Sequence, residues 1–224
     1  VSLETVRGET VEAFLGQLAA RVPAPGGGAT AALHAAQAAA LVAMVARYSN
    51  GARYDTDLMA RILTEADGLR DEALTLAEAD VEAFGAVSAG YQLPKETTEL
   101  AGARSAAIAE ALIGAAGPPA DVIRAARRLI ELAEELRLAG NRNVITDVAA
   151  AAEAARAAAV TARVNIEVNL RGIKASAIRD SAIRDSAIRD SAIRAELTAT
   201  AAITDEIIAR ADRIVAAVRD EISR

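Results

Sequence analysis

An aspartate standing where an apolar residue is expected is the first sign of chemistry in this chain. Leu58, Ile62, Leu69, Ala73, Leu76, Asp80, Phe84, Val87 and Tyr91 recur at helical i, i+3 and i+4 spacing, with Asp80 inside the stripe. Burial among apolar groups favours a neutral carboxyl, so Asp80 is suited to keep a proton near neutral pH and to deliver it as a general acid. The same position also suits a structural Asp satisfied by an arginine or a backbone N–H. A second stripe, Asp147, Ala151, Ala155, Ala158, Ala162, Asn165 and Asn169, is polar at both ends, while Glu153, Arg156, Arg163 and Glu167 fall opposite. Its alanines admit a neighbouring helix closely. Its polar ends then face a crevice, where they either bind a ligand or bond across helices to fix packing.

Gly26, Gly27 and Gly28 open a helix, so their backbone N–H groups could hold an anion or a carbonyl oxygen. The Lys-Ser/Thr that completes a phosphate-binding P-loop does not follow them. Three glycines also serve simply to let helices and a loop pack without side-chain clash. His34, two turns into an alanine-rich helix, reads as a packed or surface residue rather than a catalyst.

The elements that must position these groups are helices. The helical period runs almost everywhere and strand alternation is missing, so the chain reads as all-α: a single-domain bundle of long and short helices. The pattern predicts helices over about 10–22, 29–48, 57–91, 97–116, 120–139, 147–170 and 195–224. Pro23, Asn50-Gly51, Leu93-Pro94-Lys95, Gly117-Pro118-Pro119 and Gly140-Asn141 punctuate them, and Thr146 is a candidate cap. Gly68 is a weak point in the third helix. The stretch 120–139, with Arg124, Arg127, Arg128, Glu131, Glu134 and Glu135, reads as a solvated face with salt-bridge spacing.

Composition narrows the function classes. The 224 residues carry a formal net charge of -6, which argues against nucleic acid as a partner, since a phosphate-tracking surface needs clustered Lys and Arg. Zero cysteines exclude a disulfide framework and thiolate chemistry, and one histidine excludes a His-rich zinc site. Neither a metal nor a cofactor is expected. The longest apolar run, 35–46, is too short to cross a bilayer, and Glu4, Arg7 and Glu9 precede any apolar stretch that could serve as a signal peptide. The expectation is a cytoplasmic protein without a membrane partner.

Residues 176–194 read SAIRD-SAIRD-SAIRD-SAIR. Five residues advance a helix by about 500°, so Ile178, Ile183, Ile188 and Ile193 spiral around the axis and cannot share one core-facing side. Asp180 to Arg184, Asp185 to Arg189 and Asp190 to Arg194 are favourable i, i+4 pairs, so helicity survives. The segment reads as a tandem expansion or engineered spacer of about 175–189 without a catalytic role. A protruding helix or a poorly ordered stretch is expected there.

Taken in order, several segments resemble the formiminotetrahydrofolate cyclodeaminase and methenyltetrahydrofolate cyclohydrolase family. They are Pro25-Gly26-Gly27-Gly28-Ala29-Thr30-Ala31-Ala32-Leu33, Leu41-Val42-Ala43-Met44-Val45, Asp80 with Ala83-Phe84, Leu93-Pro94-Lys95, Gly140-Asn141 with Asp147-Val148, and Asn165 with Asn169-Leu170. The resemblance covers residues 2–174 and resumes near 190. Joining Lys174 to Asp190 restores the family's Ile-Lys-Asp, which supports a fifteen-residue insertion. His34 has no counterpart in the pattern.

The resemblance implies cyclisation of 5-formiminotetrahydrofolate to 5,10-methenyltetrahydrofolate with release of ammonia, or hydrolysis of methenyltetrahydrofolate. It implies Asp80 as proton donor and relay, Asp147 as a second carboxylate, and Lys95 with Arg104 pairing the folate carboxylates or orienting Asp80. Asn141, Asn165 and Asn169 would bond the pterin edge, Gly26, Gly27 and Gly28 would close the pocket, and Lys174 joins the substrate-binding set. It further implies a homodimer, with the formimino transfer performed by another chain. A helical binding or scaffold protein without catalysis is the reading from a different class.

Overall fold

The computed structural model describes residues 6–179 and 187–224, the side chains between 174 and 190 excepted. Within these residues every regular element is a helix: α1 Val11–Ala19, α2 Gly27–Tyr48, α3 Thr56–Gln92, α4 Thr98–Ala115, α5 Gly117–Ala139, α6 Ile145–Arg179 and α7 Ala187–Ile222. Short 3-10 turns lie at Val6–Gly8 and Arg142–Val144. The all-α expectation holds.

Caps explain where the helices start. Thr10, Asp55 and Thr97 each accept, through the side chain, a backbone N–H three residues ahead, satisfying one of the otherwise open amides of the first turn. Pro118 and Pro119 sit in the first turn of α5, where the missing N–H costs nothing. Some boundaries differ from the pattern. α1 stops at Ala19, because Ala20 already turns extended ahead of Pro23. Gly68 does not interrupt α3. Thr146 lies inside α6 rather than ahead of it; Asn141 caps the Arg142–Val144 turn, and α6 follows directly from that turn.

α2 is the axle of the bundle, packed against α3, α5 and α6 together. Its buried residues are glycine, alanine and valine only, and they meet the alanines of α6, Ala151, Ala155, Ala158, Ala159 and Ala162. Small side chains let backbones approach closely, and the larger buried side chains come from the other helices: Ile62 of α3, Ile123, Leu129, Ile130, Leu132 and Leu136 of α5, Ile166 of α6 and Ile207 of α7. Each of these larger side chains contributes about 1.5–3 kcal/mol on burial. α4 lies on α3 and α6, closing a second, smaller cluster of Val87, Ile108, Leu112, Ala115 and Ile173. α7 covers α5 and α6.

The expectation about membrane-length segments needs correcting. α2, and the Thr98–Ala139 stretch that α4 and α5 share, are long and apolar enough to cross a bilayer by length and composition. The alanines and glycines before residue 35 extend the apolar stretch beyond its most obvious part. In α2 that apolarity is spent on the inside of the bundle. The core of the SAIRD repeat, 180–186, lies outside the described residues, as do the side chains up to Asp190. Ile193 at its far end packs against the main core.

Candidate active site

One cavity gathers Asp80, two of the asparagines and the glycine turn. Its walls are Pro23, Ala24, Gly26, Gly27 and Gly28 at the start of α2, Asp80 and Phe84 from the middle of α3, Ala115 at the end of α4, and Asn165, Val168 and Asn169 of α6. Its volume is about 140 Å³. Four helices therefore converge on it.

Asp80 is half-buried rather than sealed in the core. It follows Ala73 and Ala77, which are fully buried, on the face of α3 that packs against α2. Burial pushes its carboxyl above the ordinary Asp value, and the backbone N–H of Ala29 opposes that shift by favouring the ionised form. The approach between the helices is very close. A Cβ on Gly28 would overlap Oδ1, Cγ and Oδ2 of Asp80, the farthest of the three being only 2.5 Å away.

The two asparagines are locked by their amide nitrogens. Asn165 Nδ2 donates to the Thr161 carbonyl at 3.0 Å, and Asn169 Nδ2 donates to the Ala115 carbonyl, also at 3.0 Å. A carbonyl oxygen only accepts, so each carboxamide must turn its nitrogen to the backbone. Each Oδ1 then remains an acceptor at the cavity wall. Gly27 lies against Asn165, where a Cβ would make ordinary contact with Nδ2 at 3.6 Å.

The other anticipated residues lie elsewhere. Asp147 sits in the first turn of α6, eighteen residues before Asn165, which is about 27 Å along the helix. It does not line the cavity, so the idea of two carboxylates facing one hollow is corrected. Asn141 is at that same distant end, donating from Nδ2 to the Tyr48 carbonyl at 2.7 Å and accepting from the Asn143 N–H at 3.0 Å. It holds a turn together and does not reach the cavity. Lys95 is exposed in the α3–α4 connection. Arg104 donates from Nη2 to the Tyr91 carbonyl at 3.0 Å and lies over the Tyr91 ring. Arg104 lies eleven residues before Ala115 and Tyr91 eleven beyond Asp80, about 16 Å along their helices, while the nearer wall residue Phe84 is seven residues from Tyr91. Arg104 does not orient Asp80. The Lys174 side chain is outside the described residues.

Pro23, Ala24, Phe84, Ala115 and Val168 line the cavity without having been singled out as site residues. Phe84 and Val168 carried a signal, since each is one turn or less from a polar residue of the site. Ala115 contributes a backbone carbonyl and carried none. His34 lines a different cavity, of about 430 Å³, between α1, α2 and α3. Among the described residues, no group of three or more His, Asp or Glu is placed to hold a metal.

The family model for formiminotransferase-cyclodeaminase matches residues 10–187, which include every residue of this cavity. The chain belongs to the formiminotransferase-cyclodeaminase family. Within it, a methenyltetrahydrofolate cyclohydrolase of Methylorubrum extorquens is 41% identical over 168 residues, covering 74% of this chain and 81% of that protein. The formimidoyltransferase-cyclodeaminase of Rattus norvegicus is 32% identical over 165 residues, covering 72% of this chain and 30% of that longer protein. A solved formiminotetrahydrofolate cyclodeaminase from Thermotoga maritima superposes with a TM-score of 0.75 at 28% identity, over 95% of this chain and 98% of that one. The earlier resemblance and the all-α bundle therefore both hold.

Proposed function

We propose that the Asp80 cavity is the catalytic site of a folate one-carbon enzyme that cyclises 5-formiminotetrahydrofolate to 5,10-methenyltetrahydrofolate and ammonia. The observation that carries this reading is a single, partly desolvated carboxyl at the meeting point of four helices, in a member of this family. The reaction asks for one proton relay. N10 attacks the amidinium carbon and becomes positively charged, and its proton must leave. The nitrogen derived from the formimino group must gain a proton before the C–N bond breaks and ammonia departs. One carboxylate that accepts the first proton and returns it as the second completes the cycle with no net proton change. A carboxyl raised toward neutrality is suited to both halves of that transfer.

Asn165 and Asn169 offer acceptor oxygens for N–H groups of the pterin, and the Gly26–Gly28 backbone supports the opposite wall. Arg104, about 16 Å along α4 from Ala115, and Lys95, exposed in the α3–α4 connection, fit the role of meeting the glutamate carboxylates of an elongated substrate rather than any part in the chemistry. The reading includes a second copy of the chain as partner in the cytoplasm. Exposed Val160, Val164 and Val168 on successive turns of α6 support such a contact, which light scattering of the purified protein checks.

The second reading, methenyltetrahydrofolate cyclohydrolase, is favoured by the 41% identical relative. There Asp80 takes a proton from the water that attacks the methenyl carbon and passes it to N5 as the C–N5 bond breaks, with one proton released overall. Ammonia release from 5-formiminotetrahydrofolate, run beside loss of methenyl absorbance, separates the two. An enzyme that neither releases ammonia nor hydrolyses the methenyl group leaves the helical binding protein as the surviving reading.

A further inference from the structure

We propose that Gly28 is the positioning residue of Asp80: its missing side chain is the space the carboxyl occupies, and so it sets where the proton relay sits against the N-terminus of α2. The inference rests on Asp80 being the relay. The site holds one glycine whose Cβ would displace the carboxyl. A Cβ on Gly28 would overlap all three carboxyl atoms of Asp80, whereas one on Gly27 meets only ordinary contacts and one on Gly26 meets nothing within 4 Å. Backbone freedom is not the reason, because among the described residues positive φ is found at Gly51 and not at Gly28. Gly28 is glycine for Asp80.

The close approach has an electrostatic side. α2 runs for 22 residues and points its N-terminus at the carboxyl, with the Ala29 N–H favouring the ionised form. That N–H belongs to the first turn and has no partner within its own helix. Burial from the surrounding walls acts in the opposite sense. No other titratable side chain lines the cavity among the described residues: α2 presents Gly27 and Gly28, α4 presents Ala115, and α6 presents Asn165, Val168 and Asn169. The balance at Asp80 is therefore set by the helix end against desolvation. Forcing the carboxyl off the helix end leaves desolvation unopposed, so the relay ionises at higher pH and stands away from the reacting nitrogens.

A double-mutant cycle on the whole protein tests this, with ammonia release and methenyl hydrolysis followed across pH. Gly28→Ala is expected to lower kcat by about 10²-fold through misplacement and to move the acid limb of the kcat profile upward. In the Asp80→Asn background, Gly28→Ala is expected to change little further, because its target is already gone. Multiplying losses, or a fallen kcat with an unmoved acid limb, would overturn the proposal while leaving Asp80 as the relay. Full activity of Asp80→Asn would instead remove the relay itself. Should Gly28→Ala not fold, Gly28→Ala with Asp80→Ala is decisive: recovery of the fold, read by circular dichroism and thermal unfolding, shows that the two groups compete for one space. Failure of the double variant to fold means that Gly28 serves something else.

Discussion

At the C-terminal end of α2 the polar groups are closed among themselves. Ser49 Oγ donates to the Val45 carbonyl at 2.7 Å and accepts the Asn141 N–H at 2.8 Å, while Asn141 bonds Tyr48 and Asn143 through its two amide atoms. At the N-terminal end of the same helix, each asparagine has one bond to a backbone carbonyl and an acceptor left over, and Asp80 keeps a carboxyl that burial discourages from ionising. Both ends are built from Gly, Asn and small polar residues. What separates them is completeness: a finished network fixes a turn, whereas an unfinished one around a cavity has bonds to give to a ligand.

The sharpest way to break this contrast is to neutralise one carboxylate at each end. Asp80→Asn is expected to cut turnover by about 10²–10⁴-fold, the range for loss of a positioned proton-transfer group, whereas Asp147→Asn leaves it within about twofold. Steady-state assays of the two variants, matched for folded protein, decide it; equal losses would place both carboxylates in the reaction. Next in size is Gly140→Ala at the closed end, where a Cβ would stand 2.6 Å from the Leu136 carbonyl. Urea unfolding is expected to show a loss of about 2 kcal/mol with kcat per folded molecule retained.

At the open end, Asn169→Ala is expected to raise KM by about 5–10-fold, the worth of one hydrogen bond to a ligand, with a smaller effect on kcat. The smallest effect is on stability. The native Asp80 carboxyl ionises at higher pH than it does in the unfolded chain, so its support for folding is complete below the ordinary Asp value of 3.8 and is lost as pH rises through the raised native value. Asp80→Asn lacks that loss. Its Tm is expected to exceed the parent's at pH 7 by a few degrees, with the gap closing in acid; a lower Tm at pH 7 would mean that the ionised carboxylate is well satisfied.

Much of this was legible in the residues. The helices followed from period and caps, and Gly28, Asp80, Asn165 and Asn169 line one cavity, in keeping with what the family resemblance implied. Asp147 and Asn141 failed for a definite reason. A stripe tells which side of a helix a residue faces and not how far along it lies, and α6 is 35 residues long. For Lys95 and Arg104 the alternative of orienting Asp80 falls for the same reason, because a hairpin places its tip turns away from its base. The edges of the Asp80 stripe were read as too deep, since Phe84 and Tyr91 are about half exposed. Periodicity cannot tell the rim of a core from its centre. The bond from Asn169 to the Ala115 carbonyl had no signal at all, because every residue has a carbonyl.

The lining of α2 decides where this protein is free to vary. Twelve of its residues are buried and none is larger than valine. Overfilling a close-packed interior typically costs about 1–3 kcal/mol, and here it would also shift the helix that carries Gly28. A lineage that enlarges one of these side chains has to shrink its neighbour on α3, α5 or α6 in step. Divergence is thereby steered to the outer faces, and the axle changes only in matched pairs.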